Sequence, residues 1–402
     1  MSHSRFRYFI MLILSIIFVS VKGGSIPYLI FYFVLLLPLF SFGYTLLVYM
    51  RFRVAQNIDS IRMIKKVPLP YQAVIANEDY FTYTSMKPEF FDDYTRVTMT
   101  KKQELFEIAP RSSLKMDGFL YAQYRGTYEA GIKSIEMKDF LYLFKVRYPL
   151  MSKLKIIVSP RIISIQKINL IQWMEESERI RKIRKGTNEI YDPEIRKYAK
   201  GDSLKQIHWK ASAKKMELMT RKMIEIEEPQ PVLFLDLNIT DKPGGLRIAL
   251  EDNIIEIALA IVKQFLDADT PILLCSQDER YRETFIRDAR EFELFYTDSA
   301  EIAFQNYSGI EEQIQYYYQS HMKDVGCIIL ITGNMSIALM ECLFHYVKNG
   351  CSIVLFYFGT QYDEEEINRV RFLKDEGVVC YDIHPEEDLE IIFGSGHSEG
   401  EQ

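Results

Sequence analysis

The stretch Val232–Thr240, with the sequence VLFLDLNIT, decides how the second half of the chain folds. Four consecutive apolar residues precede Asp236, and such an uninterrupted run is typical of a strand buried on both faces of a parallel sheet. From Pro231 onward, similar apolar runs alternate with amphipathic stretches of helical length. This alternation predicts an α/β domain with a doubly wound sheet over residues 229–393.

The spacing of apolar residues predicts the individual elements of this domain. We expect strands at Val232–Asp236, Pro271–Cys275, Phe292–Tyr296, Val325–Thr332, Ser352–Phe358 and Val378–Tyr381. We expect helices at about Ile248–Leu266, Ala300–Ser320, Ser336–Lys348 and Asp363–Asp375. The final residues, 394–402 (GSGHSEGEQ), have the composition of a disordered tail.

Polar side chains follow two of these strands at their carboxyl ends, where ligands bind in doubly wound sheets. Asp236, Asn238 and Thr240 alternate after the first strand, and Thr332 ends a later one. Oxygen-bearing side chains in such a pattern can converge on a hard cation such as Mg²⁺. These four residues are therefore a candidate Mg²⁺ site. The alternative is that they only cap helices and form turns.

Two known patterns resemble this arrangement. Asp236 and Thr240 fit the D-x-S-x-S metal-ion-dependent adhesion site of von Willebrand factor A domains, and they also fit the D-x-D-x-T motif of haloacid-dehalogenase-type phosphatases. Asn238 cannot be the acid/base that the phosphatases need at its position. In the adhesion-site interpretation Asn238 replaces a serine, and Gly333 or Asn334 stands where an acidic residue is expected. Both resemblances are therefore incomplete.

Two uncharged apolar runs, Tyr8–Val21 and Gly23–Met50, lie at the start of the chain. A membrane-spanning helix needs about 20 apolar residues, so the second run is long enough and the first is at the limit unless flanking basic side chains snorkel. Pro27 and the glycines before it predict a short turn between the runs. Residues 1–53 are therefore predicted to form a transmembrane helical hairpin.

Basic residues around the two runs predict the orientation of the hairpin. A single basic residue lies between the runs, whereas several lie outside them: Arg5, Arg7, Arg51, Arg53, Arg62, Lys65 and Lys66. The positive-inside rule then places both ends in the cytoplasm, which predicts a multi-pass cell-membrane protein with cytoplasmic soluble domains. A cleaved signal peptide is one alternative, although VSVKGG lacks a small-x-small site. If the first run does not cross, everything after Met50 lies outside instead.

Residues 54–165 favour short strands separated by turn residues, which is typical of a β-sandwich or small barrel. The expected strands are Gln72–Ala76, Thr95–Thr100, Leu105–Ile108, Gly118–Tyr124, Lys133–Lys138 and Lys155–Val158. A connector over residues 166–228 follows, in which residues 168–185 predict a solvated helix. Its basic end, ERIRKIRK, is interpreted either as a charged face or as a contact for anionic lipid or an acidic partner.

Composition narrows the classes of partner and chemistry. The chain has 402 residues and a net charge of -6, so it lacks the overall basic charge of nucleic-acid-binding proteins. The five cysteines contain no CxxC pair and lie mostly in apolar runs, which predicts buried, reduced thiols. No GxxxxGK[ST], GxGxxG, HExxH or GxSxG motif of nucleotide-binding or hydrolytic enzymes occurs in the chain.

The connector also carries the most distinctive segment, Ile195–Ala213, with the sequence IRKYAKGDSLKQIHWKASA. We expect this segment to form a packed elbow between two domains. The elbow would consist of a tight turn at Gly201 and Asp202 and a short helix with Ile207 and Ala211 on one face. Arg196 is available to pair with Asp202. Asp202, His208 and Ser212 also invite comparison with a catalytic triad, but spacing alone is weak support and structural roles are the alternative.

This segment resembles the R-x-Y-x-x-G-D-x-x-(R/K)-x-I-H-W-K-x-S-A signature of the bacterial family called domain of unknown function 58. The matching residues are Arg196, Tyr198, Gly201, Asp202, Lys205, Ile207, His208, Trp209, Lys210, Ser212 and Ala213, with Lys205 in place of the usual arginine. Upstream, Arg125–Gly131 and Val158–Pro160 resemble the R-G-x-Y-x-x-G and V-x-P elements of the family. Asp139–Phe144 resembles its D-P-F-G-L-F element, with Phe140 and Tyr142 replacing the proline and glycine.

The resemblance implies a membrane hairpin, a β-rich domain, the signature segment and a von Willebrand factor A-like domain. It also implies a MoxR-type AAA ATPase as partner, and in some cases a transglutaminase-like membrane protein. No enzymatic activity is established for the family. The leading hypothesis is therefore a membrane-anchored, non-enzymatic adaptor that works with the ATPase in protein or complex assembly at the cell envelope. It would present the end of its sheet, around Asp236, Asn238, Thr240 and Thr332, to the ATPase or its client. The alternative is a Mg²⁺-dependent, phosphatase-like hydrolase that uses Asp236.

Overall fold

The computed structural model describes residues 3–100, 105–151, 153–184, 194–199, 207, 209–222, 230–239, 244–277, 280–321, 327–359 and 364–394. The chain is a mixed α and β protein with two N-terminal apolar helices and several sheets. It divides into two compact units, Met1–Arg161 and Ile162–Gln402. The predicted tail lies outside the described residues, apart from Gly394.

The first unit begins with a helical hairpin, α1 (His3–Lys22) and α2 (Ser25–Arg51). Both helices are long and apolar enough to cross a membrane, with mean hydropathy of 1.8 and 2.0. The turn lies at Gly23 and Gly24, whose φ angles of +57° and +88° favour glycine. Pro27 was predicted to form this turn, but it lies in the first turn of α2, where a proline is tolerated.

The rest of the first unit is a β-rich domain in which three sheets enclose one hydrophobic core. The sheets have the orders β1-β3-β7-β5, β10-β9-β4-β6 and β2-β11-β8. The strands are β1 (Arg53–Ile58), β2 (Arg62–Ile64), β3 (Leu69–Asn77), β4 (Tyr83–Phe90), β5 (Thr95–Met99), β6 (Phe106–Ile108), β7 (Ser112–Ala122), β8 (Gly126–Ala130), β9 (Ile132–Lys138), β10 (Lys145–Pro149) and β11 (Leu154–Ser159).

All six strands that the sequence predicts in this domain coincide with observed strands, but β1, β2, β4, β8 and β10 were missed. In β4 the cause is visible in the backbone. Ser85 has a φ of +53°, the pairing register shifts between Tyr83 and Met86, and Pro88 lies in the same strand. These irregularities break the alternation of apolar and polar residues on which strand prediction depends.

The end of α2 belongs to the core of the β-rich domain. Val48 and Phe52 are buried in the same cluster as Tyr71, Ile75 and other strand residues. The rings of Tyr49 and Phe52 contact the ring of Tyr148 edge-on, with centroids 4.9 and 4.6 Å apart. The hairpin and the β-rich domain therefore share one core across the predicted boundary between residues 53 and 54.

The second unit is built around a six-stranded sheet with the order β16-β15-β14-β17-β18-β19. All neighbouring strands are parallel except the edge strand β16, which is antiparallel to β15. In chain order the elements are α3 (Leu170–Arg184), β12 (Glu194–Lys197), α4 (Trp209–Lys215), β13 (Met219–Lys222), β14 (Val232–Leu235), α5 (Gly244–Asp267), β15 (Ile272–Gln277), β16 (Tyr281–Ile286), α6 (Ala289–Ser299), α7 (Ile310–His321), β17 (Cys327–Thr332), α8 (Ile337–Lys348), β18 (Ser352–Tyr357), α9 (Glu364–Asp375), β19 (Val379–Asp382) and α10 (Leu389–Phe393).

Helices cover both faces of this sheet, as the doubly wound prediction expects. Leu233 and Leu235 of β14 pack in a cluster with residues of α3, α5, α6 and α10. Val232 and Phe234 pack on the opposite face with residues of α7, α8 and α9. The strand order reverses between β14 and β17, which places the topological switch point at their carboxyl ends.

Three predictions for this unit need correction. Phe292–Tyr296 was predicted as a strand but lies inside α6. Phe292 and Phe295, three residues apart, are buried on one side of this helix. Asp288 caps the helix by accepting a hydrogen bond from the backbone N–H of Glu291. The edge strand is instead β16, which was missed. The predicted helix Ala300–Ser320 begins only at Ile310.

Residues 168–185 also differ from the prediction of a solvated connector. Leu170–Arg184 form the helix α3. Its first residue, Leu170, is 1% exposed, and Ile171, Trp173 and Met174 pack against the core of the sheet. The apolar residues at the start of the helix therefore cover the sheet. The many charges that follow them made the whole segment resemble a solvent-exposed helix.

The prediction of buried, reduced thiols is confirmed. All five cysteines are free, and all are buried except Cys380, which is half-buried. Burial raises the pKa of the Cys275 thiol to about 12, and Tyr281 donates a hydrogen bond to its Sγ atom at 3.3 Å. The Cys275 thiol is therefore protonated at neutral pH.

Candidate functional site

The candidate site lies at the topological switch point of the six-stranded sheet. Asp236 directly follows β14, and Thr332 is the last residue of the neighbouring parallel strand β17. Asp236 is 3% exposed and Thr332 is fully buried. The sequence therefore correctly predicts that these two residues meet, because parallel neighbours end at the same edge of a sheet.

The carboxylate of Asp236 accepts hydrogen bonds from both sides. The Thr332 hydroxyl donates to Oδ2 at 2.5 Å. The backbone N–H and the side-chain amide of Asn238 donate to Oδ1 at 3.1 and 2.9 Å. Burial raises the pKa of the Asp236 carboxyl above its ordinary value, whereas the hydrogen bonds from Thr332 and Asn238 lower it. The buried carboxylate is thus held by donors of the chain itself.

Asn238 joins the Asp236 carboxylate to the loop that precedes α7. Its side-chain amide also donates to the carbonyl of Ser308 at 3.1 Å, and its Oδ1 accepts from the backbone N–H of Tyr307 at 2.8 Å. Its backbone also forms a parallel bridge with Gln305. Every polar atom of the Asn238 side chain therefore stabilises the loops at this edge of the sheet.

The loop after Thr332 is fixed by a second set of contacts, which sequence reasoning missed. The backbone N–H of Asn334 donates to Thr332 Oγ1 at 3.0 Å. The Glu366 carboxylate accepts hydrogen bonds from the backbone N–H of Met335, at 3.1 Å, and from the Tyr357 hydroxyl. Arg369 donates a hydrogen bond to the carbonyl of Met335 at 2.8 Å. The acidic first turn of α9, which follows the end of β18, was the only sequence signal for this role.

The structure brings together three of the four residues of the predicted Mg²⁺ site. Thr240 lies outside the described residues, which contain no group of three or more His, Cys, Asp or Glu side chains that could hold a metal. Asp236, Asn238 and Thr332 do meet, and they hydrogen-bond to one another and to the backbone. These contacts join the loops that follow β14 and β17, and the Mg²⁺ site at the same residues stays a prediction.

The signature segment is only partly described. Gly201, Asp202, Lys205 and His208 lie outside the described residues, so the predicted turn, the pairing of Asp202 and the triad comparison stay predictions. The backbone of Arg196 lies in β12, which pairs antiparallel with β13. Tyr198 continues this pairing by donating its backbone N–H to the carbonyl of Leu218 at 2.8 Å, and Ser212 Oγ accepts from the backbone N–H of Met219 at 2.9 Å. Ile207 is buried, whereas Lys210 is exposed.

Trp209 is 69% exposed, although the expectation of a packed elbow would bury it. Two further large apolar side chains within ten residues, Met216 and Leu218, are 91% and 47% exposed. The three basic side chains of α4 are exposed as well: Lys210, Lys214 and Lys215. We call these six residues the Trp209 surface. They combine an exposed tryptophan with positive charge.

Residues 194–285, from β12 to β16, match the family described as "Protein of unknown function DUF58". Within this chain, residues 194–285 therefore form a segment that is similar to DUF58 proteins. The match includes the Trp209 surface, Asp236 and Asn238, whereas the hairpin and the β-rich domain lie outside it. The DUF58 match agrees with the resemblance found in the signature segment, and the family is described as one of unknown function.

Other comparisons add no functional argument. No curated protein matches the chain significantly. Among solved structures, the chain is similar to the cupredoxin domain of amoB from Nitrosocaldus yellowstonii, with 12% identity, coverage of 27% of this chain and 86% of that chain, and a TM-score of 0.21. A FixG-related protein from Vibrio parahaemolyticus has 10% identity, coverage of 27% and 95%, and a TM-score of 0.19. A GH20 exo-β-N-acetylglucosaminidase from Vibrio harveyi has 8% identity, coverage of 82% and 81%, and a TM-score of 0.20. Such TM-scores show neither a shared fold nor a shared activity.

Proposed function

We propose that this DUF58 protein is a membrane-anchored, non-enzymatic adaptor that binds a cytoplasmic protein partner through the Trp209 surface. The exposure of Trp209, at 69%, carries the proposal. Tryptophan is among the residues that contribute most to binding when a partner buries them, and an exposed apolar patch edged by charge is typical of an interaction site.

The chemistry of the Trp209 surface indicates the kind of partner. Lys210, Lys214 and Lys215 lie on the same short helix as Trp209, and none of the residues of α4 is acidic. An acidic surface that offers an apolar pocket for the indole ring would complement both features. The family resemblance makes a MoxR-type AAA ATPase the leading candidate for this partner, with a transglutaminase-like membrane protein as a further member of the assembly.

The α/β domain is proposed to be von Willebrand factor A-like, with a degenerate adhesion-type site. A parallel sheet with Asp236 and Thr332 at its switch point supports this comparison. In the proposal, Asp236 holds the loops at the end of the sheet in place and does not bridge a metal to the partner. The hairpin is proposed to span the cell membrane with both ends in the cytoplasm, because basic residues flank its outer ends.

A pull-down from solubilised membranes tests the adaptor proposal. We expect Trp209→Ala in the full-length chain to reduce recovery of the AAA ATPase about tenfold, the usual effect of losing about 1.4 kcal/mol at an interface. Met151→Ala, which removes a side chain that is 92% exposed in the β-rich domain, is the matched control and should leave recovery unchanged. Equal recovery with both variants would contradict a role for Trp209, and no ATPase with the wild type would contradict the partner.

The hydrolase alternative makes a different prediction. A phosphatase that uses Asp236 would hydrolyse generic phosphate esters with Mg²⁺, and Asp236→Asn would abolish the turnover. The adaptor proposal predicts no turnover that depends on Asp236. Parallel assays of the folded wild type and variant therefore separate the two functions.

A further inference from the structure

A loop of the β-rich domain is tied directly to the membrane hairpin. The loop Asp139–Phe144 connects β9 to β10. Asp139 is fully buried, and its carboxylate accepts from the backbone N–H of Leu141 at 3.2 Å and of Phe144 at 2.6 Å. The hydroxyl of Ser41 in α2 donates to the same carboxylate. The turn is therefore closed on itself and attached to α2 by one buried carboxylate.

Both helices of the hairpin hold this loop. From α1, Arg5 donates its Nε–H to the carbonyl of Leu143 at 3.0 Å. From α2, the ring of Phe42 contacts the ring of Phe144 edge-on, with centroids 5.3 Å apart. The position of the loop along the hairpin is thus fixed by contacts with both of its helices, in the same compact unit.

The basic residues of α1 indicate where this position lies relative to a bilayer. Arg5 and Lys22 flank the apolar part of α1 and are 17 residues apart, which corresponds to about 26 Å at a helical rise of about 1.5 Å per residue. That length is close to the hydrocarbon thickness of about 30 Å, so the two charges would lie near the two headgroup layers. The loop contacts Arg5 and therefore lies at the level of one headgroup layer.

The loop also exposes two aromatic side chains. Phe140 is 46% exposed and Tyr142 is 44% exposed. Tyr142 has a φ of +55°, a conformation that favours glycine, and glycine is the residue of the family element at this position. The Ser85 hydroxyl donates to the hydroxyl of Tyr142 at 2.8 Å, which orients the ring. Aromatic side chains with a polar tip or edge are favoured at the membrane interface.

We propose that the loop Asp139–Phe144 lies in the lipid interface on the Arg5 side of the membrane and inserts Phe140 and Tyr142 between the lipids. This inference rests on the proposed membrane anchoring of the hairpin. The β-rich domain would then contact the bilayer itself, and the hairpin would hold it at a fixed height. The occupant of this aromatic surface is the bilayer that would surround α1 and α2, because the ring of Phe140 contacts the ring of Tyr44 in α2, with centroids 5.9 Å apart.

Fluorescence quenching by brominated lipids tests this contact in the full-length protein. The two native tryptophans, Trp173 and Trp209, are replaced by phenylalanine, and a single tryptophan is introduced as Phe140→Trp. The protein is placed in lipid nanodiscs whose phosphatidylcholine carries bromine either near the headgroup end of the acyl chain or near its terminal methyl. We expect a loss of emission that is larger for the shallow bromine than for the deep one.

Two further positions serve as controls. Phe33 lies inside α2 and is 65% exposed, so Phe33→Trp should be quenched by both lipids if the hairpin is inserted. Tyr121 is 37% exposed and lies near the end of β7 that pairs with Leu69. The opposite end of β7, which pairs with Asn77, is the one next to the hairpin. Tyr121→Trp should therefore not be quenched.

The controls separate failure of the loop contact from failure of the anchor. Quenching of Phe33→Trp without quenching of Phe140→Trp would overturn the loop contact alone. Absence of quenching at both positions would overturn the membrane anchoring and the loop contact with it. If Phe140→Trp does not fold, Tyr142→Trp gives the same comparison, and an unquenched Tyr142→Trp overturns the proposal in the same way.

Discussion

Asp139 and Asp236 are two buried aspartates that perform the same local task in different units of the chain. Each follows a strand, and each accepts at least one hydrogen bond from a backbone N–H and one from a hydroxyl, which belongs to Ser41 for Asp139 and to Thr332 for Asp236. They differ in what surrounds them. The loop of Asp139 exposes two aromatic residues, whereas the neighbours of Asp236 are buried or turned inward. A buried carboxylate therefore marks a fixed loop, and only the surrounding side chains show whether that loop presents a surface.

Removal of the Asp236 carboxylate should have the largest effect on stability. Asp236→Ala leaves the Thr332 hydroxyl and the Asn238 amide without their buried acceptor, and we expect a loss of about 3 kcal/mol in the free energy of unfolding of the second unit. Thermal unfolding of the full-length protein in detergent measures it. Asp267→Ala is the matched control, because Asp267 forms an exposed ion pair with Lys263 and should contribute about 0.5 kcal/mol or less. Similar shifts for both variants would contradict the structural role of Asp236.

Asp139→Ala should have a smaller and more local effect of about 2 kcal/mol, since the loop keeps its other contacts to the hairpin. Hydrogen exchange of the amides of Leu141 and Phe144 should become faster, because both lose their acceptor. Asp117→Ala is the control, because its partner Gln72 is exposed. Unchanged exchange in the loop would show that Asp139 does not hold it.

The pH dependence of stability should distinguish Asp236 from an ordinary surface carboxylate. Burial raises its pKa in the folded protein above the ordinary value of 3.8, so the folded state retains a proton that the unfolded state has lost. The stability gained from binding this proton in the folded state is therefore fully present below pH 3.8 and is lost as pH rises through the folded pKa, whereas the hydrogen bonds to the carboxylate remain. The stability of the wild type relative to Asp236→Asn should fall over this window. A difference that is constant with pH, or rises, would contradict the burial argument.

Trp209→Ala should have the smallest effect on stability, within about 0.5 kcal/mol, because an exposed side chain contributes little to the core. The comparison is Ile207→Ala, two residues earlier, where the side chain is 7% exposed and the expected loss is about 2–3 kcal/mol. Thermal unfolding of both variants measures the contrast. A large loss of stability for Trp209→Ala would contradict this prediction and would support the earlier interpretation of the signature segment as a packed elbow.

A sequence pattern predicted the structure correctly where it fits only one kind of element, and it failed where it fits two. The apolar run before Asp236 has one stable placement, at the centre of a parallel sheet, and β14 lies there. The apolar residues of Phe292–Tyr296 fit a strand or an amphipathic helix equally well, and only the cap at Asp288 and the packing of Phe292 decide for α6.

The sequence predicted which residues meet at the candidate site but not all of their hydrogen-bond partners. The meeting of Asp236 with Thr332 follows from the sheet topology, whereas the directions of the Asn238 donors depend on the loop of Tyr307 and Ser308, about 70 residues later. Asp139 was noticed only through a family element, because its partner Ser41 is 98 residues away. Long-range hydrogen bonds of this kind leave no local pattern.

The most direct test of the adaptor account is site-specific photo-cross-linking in cells. A photoreactive amino acid replaces Met216, which is 91% exposed on the Trp209 surface, and in a second strain replaces Met151, which is 92% exposed in the β-rich domain. The account predicts a covalent product with a cytoplasmic AAA ATPase from position 216 and none from position 151. Products with the ATPase from both positions or from neither, in cells that contain the folded protein, would contradict it.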